Sequence, residues 1–340
     1  MKNKKFILLI ALLMAILLFA FIQTSCTKDT KNDGINITVT TFPIYDFVKN
    51  IVGDDANVEL LLSPGAEVHS YEPTANDIVK IASSKMFVYI GGANDAAIVK
   101  AIESEPSIKD VKLVRLMDYV EPKEEELVDG MQDDEHDHDE DEEHDHDHDE
   151  DEEHDHDHDD DEEIEYDEHI WLSPAYVKLM VTAIENTLVN LDSANKDGYE
   201  ERATQYNEKI TQLQNDYKEM VDSAKIKKIV VADRFPFRYL VDEFGISYSA
   251  ALVGCAHDAE IEPATIVGLI NIVESENIPY VFYVELSDKS AANTIAEETG
   301  CKTALLHSAE RPTQAEFDNG ISYLSIMRAN LEALRLALNP

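Results

Sequence analysis

The chain has 340 residues and a formal net charge of −42, enough length for one large or two modest globular domains with real cores. Much of that charge sits in one stretch: all 31 residues from Asp133 to Glu163 are Asp, Glu or His, which leaves −19 on the other 309. An acidic balance in both parts excludes nucleic acid as a natural partner, because phosphate binding needs clustered Lys and Arg, and points towards cations.

In chain order, Met1–Lys5 (MKNKK) is basic and Phe6–Ile22 is an unbroken apolar run of 17 residues, followed by Thr24-Ser25-Cys26. This order is that of an export signal. It resembles a bacterial lipobox, in which Cys26 is acylated and becomes the mature N-terminus; Gln23 departs from that motif, which has an aliphatic residue there. An uncleaved membrane anchor is the alternative, since the run approaches the ~20 residues that span a bilayer. Either reading puts the remainder of the chain outside the cytoplasmic membrane, with Thr27–Gly34 as a polar tether.

Short β-branched runs then alternate with helical periodicity. Strands are predicted at Asn36–Thr41, Val58–Leu62, Met86–Gly91 and Val111–Leu116, with helices at Ile44–Val52, Ala75–Ser83 and Asn94–Ser104. A second set of strands follows at Lys228–Ala232, Ser247–Leu252, Tyr280–Glu285 and Thr303–His307. Its helices are Pro236–Phe244, Pro263–Glu276, Lys289–Thr299 and Gln314–Leu338. Alternation at this spacing implies right-handed crossovers and mostly parallel sheets, so the fold class is α/β with two lobes. The first lobe covers 35–192 and the second 224–340. Between their strand sets lie an amphipathic helix at Pro174–Leu191 and a proline-free segment, Ser193–Ser223. The latter shows one apolar face through Tyr199, Ala203, Tyr206, Ile210, Leu213, Tyr217 and Met220. It reads as a stiff linking helix of roughly 45 Å.

Within the acidic stretch, Asp141–Glu150 and Asp151–Asp160 are near-perfect ten-residue repeats, DEEHDHDHDE and DEEHDHDHDD. With no apolar residue the stretch has nothing to bury, so a disordered loop is expected. Its histidines, His136, His138, His144, His146, His148, His154, His156 and His158, can offer weak accessory metal sites. Four histidines lie elsewhere: His69, His169, His257 and His307. His69 falls beyond the second predicted strand, His169 before a helix, and His307 at the end of the last strand. Ligands of open parallel sheets gather at carboxyl ends of strands, so these three can converge on one cleft. Three imidazoles with a carboxylate or water suit zinc better than manganese, which favours oxygen donors. No HExxH or other catalytic signature is present, and the protein is not expected to be an enzyme. Cys255 and Cys301 could form a disulfide in an exported protein or remain buried thiols.

The segment PGAEVHSYEPTANDI (Pro64–Ile78) resembles a signature of zinc and manganese substrate-binding lipoproteins of ABC transporters. DEHIWLSP (Asp167–Pro174) resembles their second histidine motif, the acidic His-rich insert precedes it as in zinc members, and ISYLSIMRANLEALRLAL matches their tail. The resemblance runs from about Asn36 to the C-terminus. It implies two lobes joined by a rigid helix and Zn2+ held between them for delivery to an ABC permease; the chain is expected to be a monomer, held to the membrane by lipid on Cys26. Carried over residue by residue, His69 and His169 match the first two ligands, and His307 stands where the family has an aspartate. The third position departs: in ADRFPFRYL the matching residue is Arg234, which cannot bind a cation, and Asp233 beside it is the candidate. The metal set is therefore His69, His169, His307 and Asp233, with three histidines plus water as the competing reading. Glu285 and Asp288 read as helix-end or supporting acids, Glu72 as a loop-orienting group, and Trp171, the single tryptophan, as packed beneath the site. A manganese-binding protein and a surface zinc buffer or adhesin are the alternative functions.

Overall fold

The computed structural model describes residues 34–66, 71–132, 166–255 and 259–340. The apolar leader, Cys26, His69, the acidic stretch 133–163 with its eight histidines, and His257 all lie outside the described residues.

Within Ile35–Pro340 the chain builds two parallel four-stranded sheets. The first contains β1 (Asn36–Val39), β2 (Asn57–Leu60), β3 (Met86–Tyr89) and β4 (Lys112–Arg115) in the order β2-β1-β3-β4. Its helices are α1 (Phe42–Val52), α2 (Ala75–Ser83) and α3 (Ala96–Glu103). The second contains β5 (Lys228–Phe235), β6 (Ser247–Val253), β7 (Tyr280–Tyr283) and β8 (Lys302–Leu305) in the order β6-β5-β7-β8. It carries α6 (Arg238–Phe244), α7 (Pro263–Glu276) and α8 (Ser290–Thr299). Between the sheets run α4 (Pro174–Leu191) and α5 (Lys196–Asp222); α9 (Gln314–Asp318) and α10 (Tyr323–Leu338) close the chain. The two-lobed α/β class expected from the alternation is therefore the observed one. The strand order places a switch point between β1 and β3 in one lobe and between β5 and β7 in the other, where parallel sheets open a crevice at their carboxyl ends.

Two local differences from the sequence expectation have clear causes. The tail helix expected over Gln314–Leu338 is two helices, because Gly320 takes a left-handed turn at φ 75° and Ser322 starts a new capping box with Ser325. The linking helix starts at Lys196, after a 3-10 turn at Ser193–Asn195, and its 27 residues span about 40 Å.

That long helix α5 packs against α1, α4 and α10. Tyr199, Ala203, Tyr206, Ile210, Leu213, Tyr217 and Met220 are all buried along its inner face. At ~1.5–3 kcal/mol for a large buried apolar side chain, this stripe is a main source of stability for the joint. Polar anchors fix its rotation: the Tyr206 hydroxyl donates to Asp46 at 2.9 Å, and the Tyr217 hydroxyl to the Met327 carbonyl at 2.7 Å. Arg202 donates to the Ile51 carbonyl at 2.6 Å and pairs with Asp55. The core is continuous through the joint, running from Ile37, Phe47 and Trp171 to Ile229, Phe237 and Leu334.

A second connection between the sheets comes from residues 121–132. After β4 the chain leaves the first sheet and lies as a strap over the second lobe. The Lys123 amide donates to the Tyr239 hydroxyl at 3.0 Å, Glu126 pairs with Arg238, and Glu125 accepts the Cys255 amide at 2.9 Å. Gln132 bonds Ala251, Glu260 and Glu262 at once. Gly130, at φ 100°, passes so close to Leu269 that a Cβ there would meet its Cδ2 at 2.7 Å. The chain returns through the Glu124–Tyr166 bridge, where the Asp167 amide donates to the Lys123 carbonyl at 2.9 Å. Cys255 and Cys301 are both free thiols.

Candidate metal centre

The return of the strap delivers His169. A 3-10 turn at Ile170–Leu172 precedes α4, and His169 stands at its N-cap, 2% exposed. Its ring Nδ1 lies 3.0 Å from Asp167 Oδ1, and its backbone amide donates to the same oxygen at 2.8 Å. A carboxylate accepts only, so Nδ1 carries a proton in either charge state of the ring, and a metal would be taken at Nε2, the arrangement that a carboxylate imposes on metal-binding histidines. Burial works to lower the imidazole pKa, but the Asp167 carboxylate, with the charges of Glu310 and Glu125 behind it, outweighs burial and pushes it up to about 9. The Trp171 ring meets the imidazole edge-on at 5.2 Å.

His169 shares a narrow cavity with residues from the carboxyl ends of β5, β7 and β8, among them Arg234, Glu285, Ser308, Glu310 and Arg311. Glu310 is 7% exposed, and its negative charge is felt at His169. An imidazole from one lobe and a carboxylate from the other thus border one space. Among the described residues, no three His, Cys, Asp or Glu side chains converge closely enough to hold a metal; the other imidazole expected here, His69, lies outside them.

Asp233 and His307 are placed differently. Asp233 lines a neighbouring crevice with Glu260 and Asp288 at the β5–β7 switch point. Its Oδ1 accepts the Arg234 amide at 2.9 Å and its Oδ2 the Val284 amide at 3.4 Å, so the carboxylate ties β5 to β7. Arg234, not Asp233, borders the space beside His169. His307 is buried, with its amide donating to Asn330 Oδ1 at 2.9 Å and its carbonyl accepting from Asn330 Nδ2 at 2.7 Å. Its Nδ1 accepts the Ala309 amide at 2.9 Å and lies 3.4 Å from Glu285 Oε2. Its Nε2 is buried with no hydrogen-bond partner. Glu285 accepts from the Ser308 amide at 2.8 Å and from its hydroxyl. Asp288 is exposed and accepts the Ser290 amide at 2.8 Å, and Glu72 is exposed.

Two residues beside this space were not expected from the sequence: Glu310, which lies three residues past His307, and Asp167. The acid two residues before His169 was a readable sign of an oriented imidazole.

Two parallel four-stranded sheets bridged by a long helix, with an imidazole and a carboxylate bordering one cavity beyond the strand ends, define a two-lobed binding-protein architecture. A family model described as "ZnuA: Zinc-uptake complex component A periplasmic" matches residues 37–337. The chain belongs to that family. It is 34% identical over 335 residues to the zinc-binding lipoprotein AdcA of Streptococcus pneumoniae strain R6, covering 98% of this chain and 60% of AdcA. It is 31% identical over 340 residues to the high-affinity zinc uptake system protein ZnuA of Bacillus subtilis, covering 98% of each. The crystal structure of the Zn(II)-bound ZnuA-like domain of Streptococcus pneumoniae AdcA superposes with a TM-score of 0.70 at 28% identity, over 90% of this chain and 100% of that one. The chain thus spans about three-fifths of AdcA and 98% of the Bacillus relative. Among the described residues no helix is long and apolar enough to cross a membrane.

Proposed function

We propose that this protein captures Zn2+ outside the cytoplasmic membrane, in the cleft between its lobes, and delivers it to an ABC permease. The observation that carries the reading is His169, held in its metal-binding tautomer by Asp167 and bordering the same space as Glu310 of the other lobe. His69 supplies a second imidazole, and Glu310 the carboxylate from the second lobe. Water completes the tetrahedron, while Asp233 braces β5 against β7 and His307 shapes the turn leading to Glu310. Two imidazoles and one carboxylate suit zinc. The relatives named for zinc binding and zinc uptake support the same metal.

The function is binding and delivery, not catalysis. The protein works as a monomer fixed to the membrane by lipid on Cys26, and the histidines of 133–163 gather zinc weakly ahead of the cleft. Competition titration against a chromophoric chelator tests the assignment. His69→Ala, His169→Ala and Glu310→Ala are each expected to lose the single tight site, and Asp233→Ala to keep it. Loss of tight binding in Asp233→Ala would put that carboxylate in the coordination sphere. Retention of tight binding in His169→Ala would refute the cleft as the site.

A further inference from the structure

The turn from His307 to Glu310 is built in an unusual way. Its four successive backbone amides all donate to side chains: His307 to Asn330 Oδ1, Ser308 to Glu285 Oε2, Ala309 to His307 Nδ1, and Glu310 to Ser308 Oγ at 3.1 Å. None of them is held by a strand or helix ladder. Ala309 sits at φ 63°, a left-handed conformation that a residue with a Cβ adopts only when its surroundings demand it. The path of this backbone is therefore specified by the side chains that grip it.

Glu285 is the principal grip. It extends from the carboxyl end of β7 with its side chain 9% exposed, and both carboxylate oxygens engage Ser308, one through the amide and one through the hydroxyl. The Ser308 hydroxyl in turn accepts the Glu310 amide, so a continuous chain of bonds runs from Glu285 to the backbone of Glu310. From the opposite lobe, Trp171 Nε1 donates to the Ser308 carbonyl at 2.8 Å, and the Tyr323 hydroxyl donates to the Trp171 carbonyl at 2.7 Å. Trp171 also contacts His169. The same serine is thus tied to the carboxylate arm on one side and to the imidazole arm on the other.

We infer that Glu285 is a positioning residue for zinc binding: through Ser308 it sets the turn that presents Glu310, without touching the metal. The inference rests on Glu310 being the carboxylate ligand proposed above. Outer residues that orient a ligand in this way change metal affinity by about 10- to 100-fold when removed.

The test uses the full chain, with zinc affinity from chelator competition and the visible absorption of one equivalent of bound Co2+ as a reporter of coordination geometry. Glu310→Gln is the control for the site itself. Glu285→Ala is expected to weaken zinc by about 10-fold or more and to shift the Co2+ bands. Glu285→Gln, which keeps one acceptor oxygen, should fall between it and the parent. Ser308→Ala should weaken binding in the same way, and the double variant Glu285→Ala/Ser308→Ala should be no worse than the single Glu285→Ala, since both cut one chain of bonds. If Glu285→Ala does not fold, Ser308→Ala and Glu285→Gln carry the test. Parental affinity and Co2+ bands in those variants, with Glu310→Gln impaired, would overturn the inference and leave the site standing. Parental affinity in Glu310→Gln would overturn the site and the inference together.

Discussion

At the scale of single residues, the distinction that matters is where two buried histidines keep their protons. His169 donates from Nδ1 to the Asp167 carboxylate, whereas His307 accepts the Ala309 amide at Nδ1. No spacing rule separates them, because the difference is set by partners two residues away through a turn. Removing Asp167 should therefore release the His169 tautomer and ring orientation. Asp167→Ala is expected to lower zinc affinity by about 10- to 100-fold, with Asp167→Asn milder because its amide oxygen still accepts from Nδ1. Chelator competition at fixed pH measures this, and equal affinity in all three proteins would remove the tautomer argument. The place of His169 ahead of a helix was legible from its motif, whereas that of Glu310 beside the same cavity was not, because a carboxylate beyond a strand end is a common surface feature and only the folded turn gives it a direction.

At the scale of elements, the helices were the most readable parts: Ala75–Ser83, Pro174–Leu191 and Pro263–Glu276 were expected with the bounds that the structure shows. Periodicity and caps define them locally. Strand ends were less readable, since β5 runs on to Phe235, past the expected Ala232, with Asp233 and Arg234 near its carboxyl end. That extension includes a register shift between Val231 and Arg234, which sequence alternation cannot reveal. The stripe of α5 was visible, but the buried charge it covers was not. Asp46 on α1 is 8% exposed, and burial pushes its carboxyl up to about 6 although Tyr206 donates to it. A folded-state value above the unfolded one means that the native state holds this proton more tightly. Its stabilising contribution is complete below about pH 4 and disappears as pH rises through 6, an effect of up to about 3 kcal/mol. Urea unfolding of metal-free protein at pH 5 and pH 7 should show a smaller pH difference in Asp46→Asn than in the parent. An equal difference would mean that Asp46 is ionised throughout.

At the scale of the whole molecule, the two lobes share one core, a 27-residue helix, the strap at 121–132 and the Trp171–Ser308 bond. A joint of this kind is expected to resist wide opening, with metal exchange through local movement at the cleft. Trp171 reports on this because it is the single tryptophan and is 1% exposed. Its emission should resist quenching by iodide in metal-free and zinc-loaded protein alike. Strong quenching in the metal-free form alone would show that the lobes separate on release. Deleting Asp133–Glu163 should remove weak zinc equivalents and keep the tight one, because both ends of the segment join residues already pinned to the second lobe, Gln132 and the Glu124–Tyr166 bridge. Loss of the tight site in a titration of the deleted protein would contradict this. The two-lobed architecture was legible because strand–helix alternation is a local pattern repeated twice. The strap was not, because its twelve residues carry no periodicity and take their course from the surface they cross.

The strap also bears on how far the lobes are separable as molecules. A hinge made of one helix would let the protein be divided there into two fragments that fold by themselves. Here a fragment ending before α5 would keep 121–132 with its docking surface gone, while its complement would expose Tyr239, Arg238 and Tyr248 where Lys123 and Glu126 now cover them. Each half contains part of the other's exterior. Co-expressed halves should consequently recombine as a tight pair, and neither alone is a self-sufficient unit of inheritance that could be exchanged between proteins as a module.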